Sequence, residues 1–284
     1  MIDRIEDKRI YNITKTRSIM ETHGLELKKS LGQNFLVDGN ILKKIVDAAE
    51  LDSSSRVLEV GPGIGSLTEE ILLRGVDTLS IEIDQRFHPI LEENFKGYDN
   101  FTLVKGDATD KDLFKSSAIG RDIFIANLPY VVTTPLLELI FTCGNFNRAV
   151  IMIQKEVAAR ILASPRSKDY SALSVFVKYF SDARLITNVK GTSFIPKPKV
   201  DSSVIRLDIK NNKDATQFLA VVHKAFGMRR KTLLNSLSMG LATSKEIIRE
   251  VLLASNIDEN RRAEELDLNE FQRLTDEIVK MKLL

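Results

Sequence analysis

"EVGPGIGSL" (59–67) sets three glycines, Gly61, Gly63 and Gly65, at alternate positions between an apolar run and an amphipathic one. Lacking Cβ atoms, such a turn lets a ligand approach the backbone closely. The nicotinamide-binding spacing, counted from Gly61, needs a third glycine where this chain has Ser66. Taken alone, the turn reads equally well as structural. Glu82 ends a second apolar run about twenty residues on, where a carboxylate can accept from both hydroxyls of a ribose. Asp107, in "KGDA", ends a third run and could accept from an adenine amine. Each carboxylate singly reads as a solvated strand end. Three successive ends carrying a glycine turn, Glu and Asp describe a nucleoside pocket, of the kind nucleotide and S-adenosylmethionine sites share.

A fourth run, Asp122 to Ala126, stops at Asn127-Leu128-Pro129-Tyr130. An adenine amine is a poor nucleophile because its lone pair is delocalised into the ring. Attack on a sulfonium methyl makes that nitrogen pyramidal and positively charged. Acceptors aimed at it, here the Asn127 side-chain oxygen and the Leu128 carbonyl, therefore favour the transition state over the ground state. Pro129 restricts the backbone that carries this carbonyl. Tyr130 offers a face on which a base can stack, worth roughly 1–3 kcal/mol by analogy with single-strand sites. Elsewhere Asn127 would read as a loop cap and Tyr130 as a core aromatic; beside a nucleoside pocket they read as catalytic.

The elements that must position these residues alternate. "ILKKIVDAAEL" (41–51) places Ile41, Leu42, Ile45, Val46 and Ala49 on one helical face. "RVLEVGPG" is a strand, and "SLTEEILLRG" (66–75) a helix with Ser66 near its N-cap, Glu69 three residues on and Gly75 as its stop. "DTLSIEID", "FTLVKGDA", "DIFIANLP" and "RAVIMIQ" are further strands, with helices at "RFHPILEENF" and "TPLLELIFTC" between them. This spacing predicts a parallel sheet with helices on both faces, whose ligands bind beyond the carboxyl ends of the strands. From about residue 210 the pattern becomes helical, through "TQFLAVVHKAF", "KTLLNSLSMG", "SKEIIREVLLAS" and "NEFQRLTDEIVKMKLL". We expect an α/β domain over 1–210 and a small all-α domain over 211–284.

Composition narrows the classes. The chain has 284 residues, 43% of them hydrophobic and 28% charged, which is ordinary for a soluble globular protein. One cysteine, Cys143, rules out an internal disulfide, fits a reducing cytoplasm and argues against a cysteine-built zinc site; no metal is expected. No apolar run approaches the roughly 18–20 residues that span a membrane, and the N-terminal stretch lacks the apolar core of a signal peptide. A net charge of +2 does not by itself identify a nucleic-acid partner, so any basic surface must be local. Arg229, Arg230 and Lys231 are consecutive cations at the predicted start of a helix. An isolated triplet reads as a solvated face, but cations there oppose the helix dipole, and a phosphate backbone needs concentrated positive charge.

"LGQNFLVD" (31–38), "VLEVGPGIGSLT" (57–68), "IEID" (81–84), "GDA" (106–108), "NLPY" (127–130), "FIPKPKVDSSVIRL" (194–207) and "RRKTLLNSL" (229–237) together resemble the ribosomal RNA adenine dimethyltransferases, and among these the small-subunit type. The likeness runs in order from about residue 23 to the C-terminus; residues 1–22 exceed it and are assigned nothing. It implies a Rossmann-like S-adenosylmethionine-dependent methyltransferase that places two methyls on each of two adjacent adenines near the 3′ end of the small-subunit RNA. Asn34 and Leu36 would line the cofactor site with Gly61, Gly63, Glu82, Asp107 and Asn127. Tyr130 would stack on the target base and Phe194 would close its other face, a position otherwise read as core. Val131 departs from the polar or aromatic residue many members carry there, which touches loop detail only. The implied partner is the small ribosomal subunit and its RNA, met by a cytoplasmic monomer. Three rivals stay open: a large-subunit adenine methyltransferase of the resistance type, a non-catalytic RNA-binding or transcription factor on the same fold, and a nicotinamide oxidoreductase. The "KVDSSVIRL" and RRKT segments, the intact chemistry-bearing loops and Ser66 count against them in turn.

Overall fold

A computed structural model describes residues 9–25, 34–129, 132–143, 146–210, 215–228 and 230–284. Two compact units divide the chain, one formed by 1–158 with 184–210 and the other by 159–183 with 211–284.

The first unit is built on a seven-stranded sheet. Its strands are β2 (Arg56–Val60), β3 (Asp77–Glu82), β4 (Phe101–Lys105), β5 (Ile123–Asn127), β6 (Arg148–Gln154), β7 (Ser181–Val189) and β9 (Ser202–Ile209). The order is β4-β3-β2-β5-β6-β9-β7. From β4 to β6 every pairing is parallel, as the alternation of strands and helices predicts. β9 then pairs antiparallel with β6, so the sheet is mixed, a feature the apolar pattern of "SSVIRLDI" does not reveal. Buried Arg206 on β9 bridges Glu50 at 2.5 Å and Asp208 at 2.7 Å, and Arg148 on β6 reaches the same two carboxylates.

Helices cover both faces. α1 (Ile13–Thr22) precedes a short β1 (Phe35–Leu36); then come α2 (Gly39–Ala48), α3 (Ser66–Leu72), α4 (His88–Phe95), α5 (Lys111–Ala118) and α6 (Thr133–Thr142). Strand β5 shows why two layers form. Ile123 and Ile125 pack with Leu42, Ile45 and Ile71 of α2 and α3, while intervening Phe124 meets Phe114 of α5 on the other side. Asp38 caps α2 by accepting from the Asn40 and Ile41 amides at 3.1 and 3.3 Å. Ser66 lies next to the N-cap of α3, where the sequence places it, but no side-chain cap forms. Gly65, left-handed at φ 95°, occupies the N-cap, Ser66 is the first helical residue, and Glu69 accepts instead from the Ile10 amide at 3.0 Å.

The second unit comprises α8 (Ala172–Phe180), α9 (Thr216–Phe226), α10 (Leu233–Gly240), α11 (Lys245–Ala254) and α12 (Leu268–Lys280); α7 (Lys155–Leu162) runs across the boundary of the two units. Residues 159–183, which sequence reading leaves in the α/β domain, belong here because Ala163, Tyr170 and Val175 share one buried cluster with α9 to α12. The Tyr170 hydroxyl donates to the Leu266 carbonyl at 2.9 Å, and Tyr179 stacks on Phe218 at 4.3 Å. Among the described residues no helix is long and apolar enough to cross a membrane.

Candidate active site

The carboxyl ends of β4, β3, β2 and β5 lie level. Val60 is paired with Ile81, Glu82 with Lys105, and Val60 with Ala126 on the other side. Beyond the ends of β2, β4 and β5 the chain makes one further ladder bond each: Gly61 N–H to Ile81 O at 3.0 Å, Gly106 N–H to Glu82 O at 3.0 Å, and Leu128 N–H to Met152 O at 3.0 Å. Strand order reverses at β2: the chain moves outward from it through β3 to β4, then returns to place β5 parallel on its other side. The crevice at that switch point is where sheets of this kind take ligands.

A cavity of about 430 Å³ opens there, within the range of small-molecule sites. Asn34, Leu36, Gly61, Gly63, Glu82 and Asp107 line it, together with Asn127, Leu128, Pro129 and Phe194. Gly61 and Gly63 both have positive φ, 70° and 59°. A Cβ on Gly63 would come within 3.2 Å of the Phe35 ring, a tight contact added to the conformational demand.

Glu82 is 4% exposed. One carboxylate oxygen accepts from the Gly63 amide at 3.0 Å and the other from the Asp84 amide at 2.8 Å. Burial pushes its carboxyl above the usual range, and these two amides oppose that shift. Each oxygen keeps a lone pair for a ligand hydroxyl. Asp107 is exposed and turns one oxygen back to the Thr109 amide and hydroxyl, both at 2.8 Å. Asn127 ends β5 half-buried opposite Met152, and Leu128 behind it is 2% exposed. Phe194 is reached from far along the sequence: β8 (Phe194–Ile195) pairs antiparallel with β1, setting Phe194 opposite Leu36. The Ser193 hydroxyl fastens this ladder to Asp38 at 2.9 Å.

Tyr130 and Arg229 lie outside the described residues. Arg230 and Lys231 are exposed in the second unit, in a turn where the Lys231 amide donates to Met228 O at 2.9 Å. They precede α10 rather than open it, since Thr232 is its N-cap. Among the described residues no group of His, Cys, Asp or Glu is placed to hold a metal ion.

Sequence reasoning passed over two further residues. Ile83, 55% exposed although large and apolar, lines the cavity directly after Glu82; its signal was an isoleucine just past a strand end. Glu59, 1% exposed on β2, accepts from Thr68 Oγ1 at 2.8 Å and Ser80 Oγ at 2.6 Å, while its other oxygen has no hydrogen-bond partner. Burial drives its carboxyl up to about 7.

The acceptors and the walls suit an adenosyl group: two carboxylates for hydroxyls and amine, and apolar Leu36, Ile64, Ile83 and Phe87 for a flat ring. Residues 24–280 match the family model described as ribosomal RNA adenine dimethylase. The ribosomal RNA small subunit methyltransferase A of Alkaliphilus oremlandii is 45% identical over 96% of this chain and 99% of its own. That of Clostridium acetobutylicum is 43% identical over 93% and 98%. Among solved structures, a dimethyladenosine transferase from Plasmodium falciparum superposes with a TM-score of 0.75 at 30% identity, covering 86% of this chain and 97% of the other.

Proposed function

Since the chain belongs to the ribosomal RNA adenine dimethylase family, we propose that it dimethylates the N6 amines of two adjacent adenines in the 3′-terminal hairpin of small-subunit ribosomal RNA, using S-adenosylmethionine. The observation that carries the reading is the single cavity shared by four level strand ends, with the glycine turn, Glu82, Asp107 and Asn127 at its rim. The names of the 43–45% identical relatives support the small subunit over the large one.

S-adenosylmethionine supplies a methyl on a positively charged sulfur. Gly61 and Gly63 give it backbone access, Glu82 accepts from its ribose hydroxyls, and Asp107 from its adenine amine, with Asn34 and Leu36 completing the wall. The side-chain oxygen of Asn127 and the carbonyl of Leu128 accept from the target amine and respond as positive charge develops there. Pro129 aims that carbonyl; Tyr130 and Phe194 sandwich the target base. The proton leaves after the nitrogen has become a cation, so no strong general base is required. Arg229, Arg230 and Lys231 hold RNA phosphates.

The deciding experiment supplies labelled S-adenosylmethionine to small and large subunits that lack the modification. Label should enter adenines of the small-subunit RNA, two methyls each, and be lost with Asn127→Ala. Label in the large subunit alone would favour the resistance-type reaction, and none in either would favour a binding role.

A further inference from the structure

Residues 9–25 do not line the cavity, yet they are fastened to its back wall. Arg9 pairs through Nη2 with Glu70 and through Nε with Glu69 at 3.3 Å, and the Ile10 amide donates to the same Glu69 carboxylate at 3.0 Å. Both glutamates sit on α3, the helix that starts where the glycine turn ends. Glu70 is 5% exposed, so its charge depends on Arg9 for compensation. Next along, the Tyr11 ring occupies the space beside Gly39 in the first turn of α2, where a Cβ would come within 2.6 Å of it.

An apolar layer continues the fastening. Ile10, Ile19 and Leu25 are buried in one cluster with Phe35, Ile64 and Phe87. All three of those partners face the cavity from the other side. Phe35 meets Phe87 edge-on at 5.7 Å and lies against Gly63. The buried Thr16 hydroxyl donates to the Ile10 carbonyl at 2.8 Å, so α1 braces the segment that carries Arg9.

We propose that residues 9–25 are a positioning element for the cofactor wall, with Arg9 as the residue through which they hold α3 and the glycine turn in binding geometry. Residues 9–23 precede the span matched by the family model, 24–280. The proposal rests on the cavity being the cofactor site, and its test is arranged to fail separately from that reading.

S-adenosylhomocysteine affinity, thermal stability and steady-state constants are measured for full-length variants. Arg9→Ala should weaken S-adenosylhomocysteine about tenfold and raise KM for S-adenosylmethionine similarly, with kcat at saturation within about threefold. Arg9→Ala/Glu70→Gln, which removes the stranded charge, should recover part of the stability but not the full affinity. Leu237→Ala, a core change in the second unit, provides a melt-matched control whose cofactor affinity should stay within about twofold of wild type. If Arg9→Ala, or the double variant should the single one fail to fold, binds within twofold of wild type while Glu82→Ala loses affinity, the buttress is wrong and the cavity assignment stands. If Glu82→Ala also binds normally, the cavity assignment falls and takes the proposal with it.

Discussion

The backbone N–H of Gly63 donates to Oε2 of Glu82 across 3.0 Å, joining the glycine turn to the acidic end of the neighbouring strand, nineteen residues along the chain. Turn and carboxylate thus hold each other in place, and neither can be altered without loosening the other. Glu82→Ala removes the anchor for Gly63 and, with it, the proposed acceptor for two ribose hydroxyls. Cofactor binding should fall by roughly 1.5–3 kcal/mol, the range for hydrogen bonds to a charged group. Glu82→Gln keeps one carbonyl acceptor but turns an NH2 toward an amide donor, so it should lose less than Ala. Calorimetry with S-adenosylmethionine decides; unchanged affinity in both variants would remove Glu82 from the ribose.

The register of β5 against β6 sets Asn127 opposite Met152, and the proposed reaction makes it an acceptor for the target amine. Asn127→Ala should slow single-turnover methyl transfer by on the order of 10²–10³-fold, the usual loss for one transition-state hydrogen-bonding group. RNA affinity in a filter-binding assay should change little. Weak RNA binding with a normal transfer rate would make Asn127 a docking residue.

Glu59 makes stability depend on pH. Its usual carboxyl value, 4.5, rises to about 7 in the fold because burial penalises the charge. The stabilising contribution is therefore complete below about pH 4.5 and is lost as pH climbs through 7, a swing of up to about 3 kcal/mol. Between pH 5.5 and 8 the melting temperature of wild type should drop more steeply than that of Glu59→Gln, which cannot ionise. Parallel slopes for the two proteins would show that Glu59 stays in one protonation state over this range.

Arg230 and Lys231 are exposed and precede their helix, where a phosphate backbone can reach them. Replacing them and Arg229 with Ala should leave the melt and cofactor affinity unchanged. Subunit affinity should fall and its salt dependence flatten by about 0.7 per lost contact with single-stranded RNA. A folded triple variant with wild-type affinity and slope would return the triplet to an ordinary solvated surface.

What sequence reading could reach was local. The apolar runs ending at Val60, Glu82, Lys105 and Asn127 are short and rich in apolar residues, all but the third lead into a helical pattern, and their order along the chain implies the crevice; the helix Lys111–Ala118 after the third emerges only in the structure. Ser66 marks the start of its helix as the sequence suggests, while left-handed Gly65 holds the cap itself. Residues 159–183 could not be placed, since Tyr170 is tied to Leu266, a partner no local pattern announces. Glu59 stayed hidden for a similar reason: its burial depends on Thr68 and Ser80 arriving from two other elements. The reach of Arg9 to Glu69 and Glu70 is again a contact between segments with no shared periodicity.

The two-residue ladder that sets Phe35 opposite Ile195 and Leu36 opposite Phe194 has a consequence for biosynthesis. Parallel pairing of β2, β3, β4 and β5 can be completed once residue 127 has been made, and with it the rim that holds Gly63 against Glu82. The wall opposite cannot close until residue 195 leaves the translating ribosome, because contacts between distant segments form only when both are available. A polypeptide abandoned midway would thus display the glycine turn and its carboxylate in an open trough. The pocket can therefore close only after about two-thirds of the chain has been made.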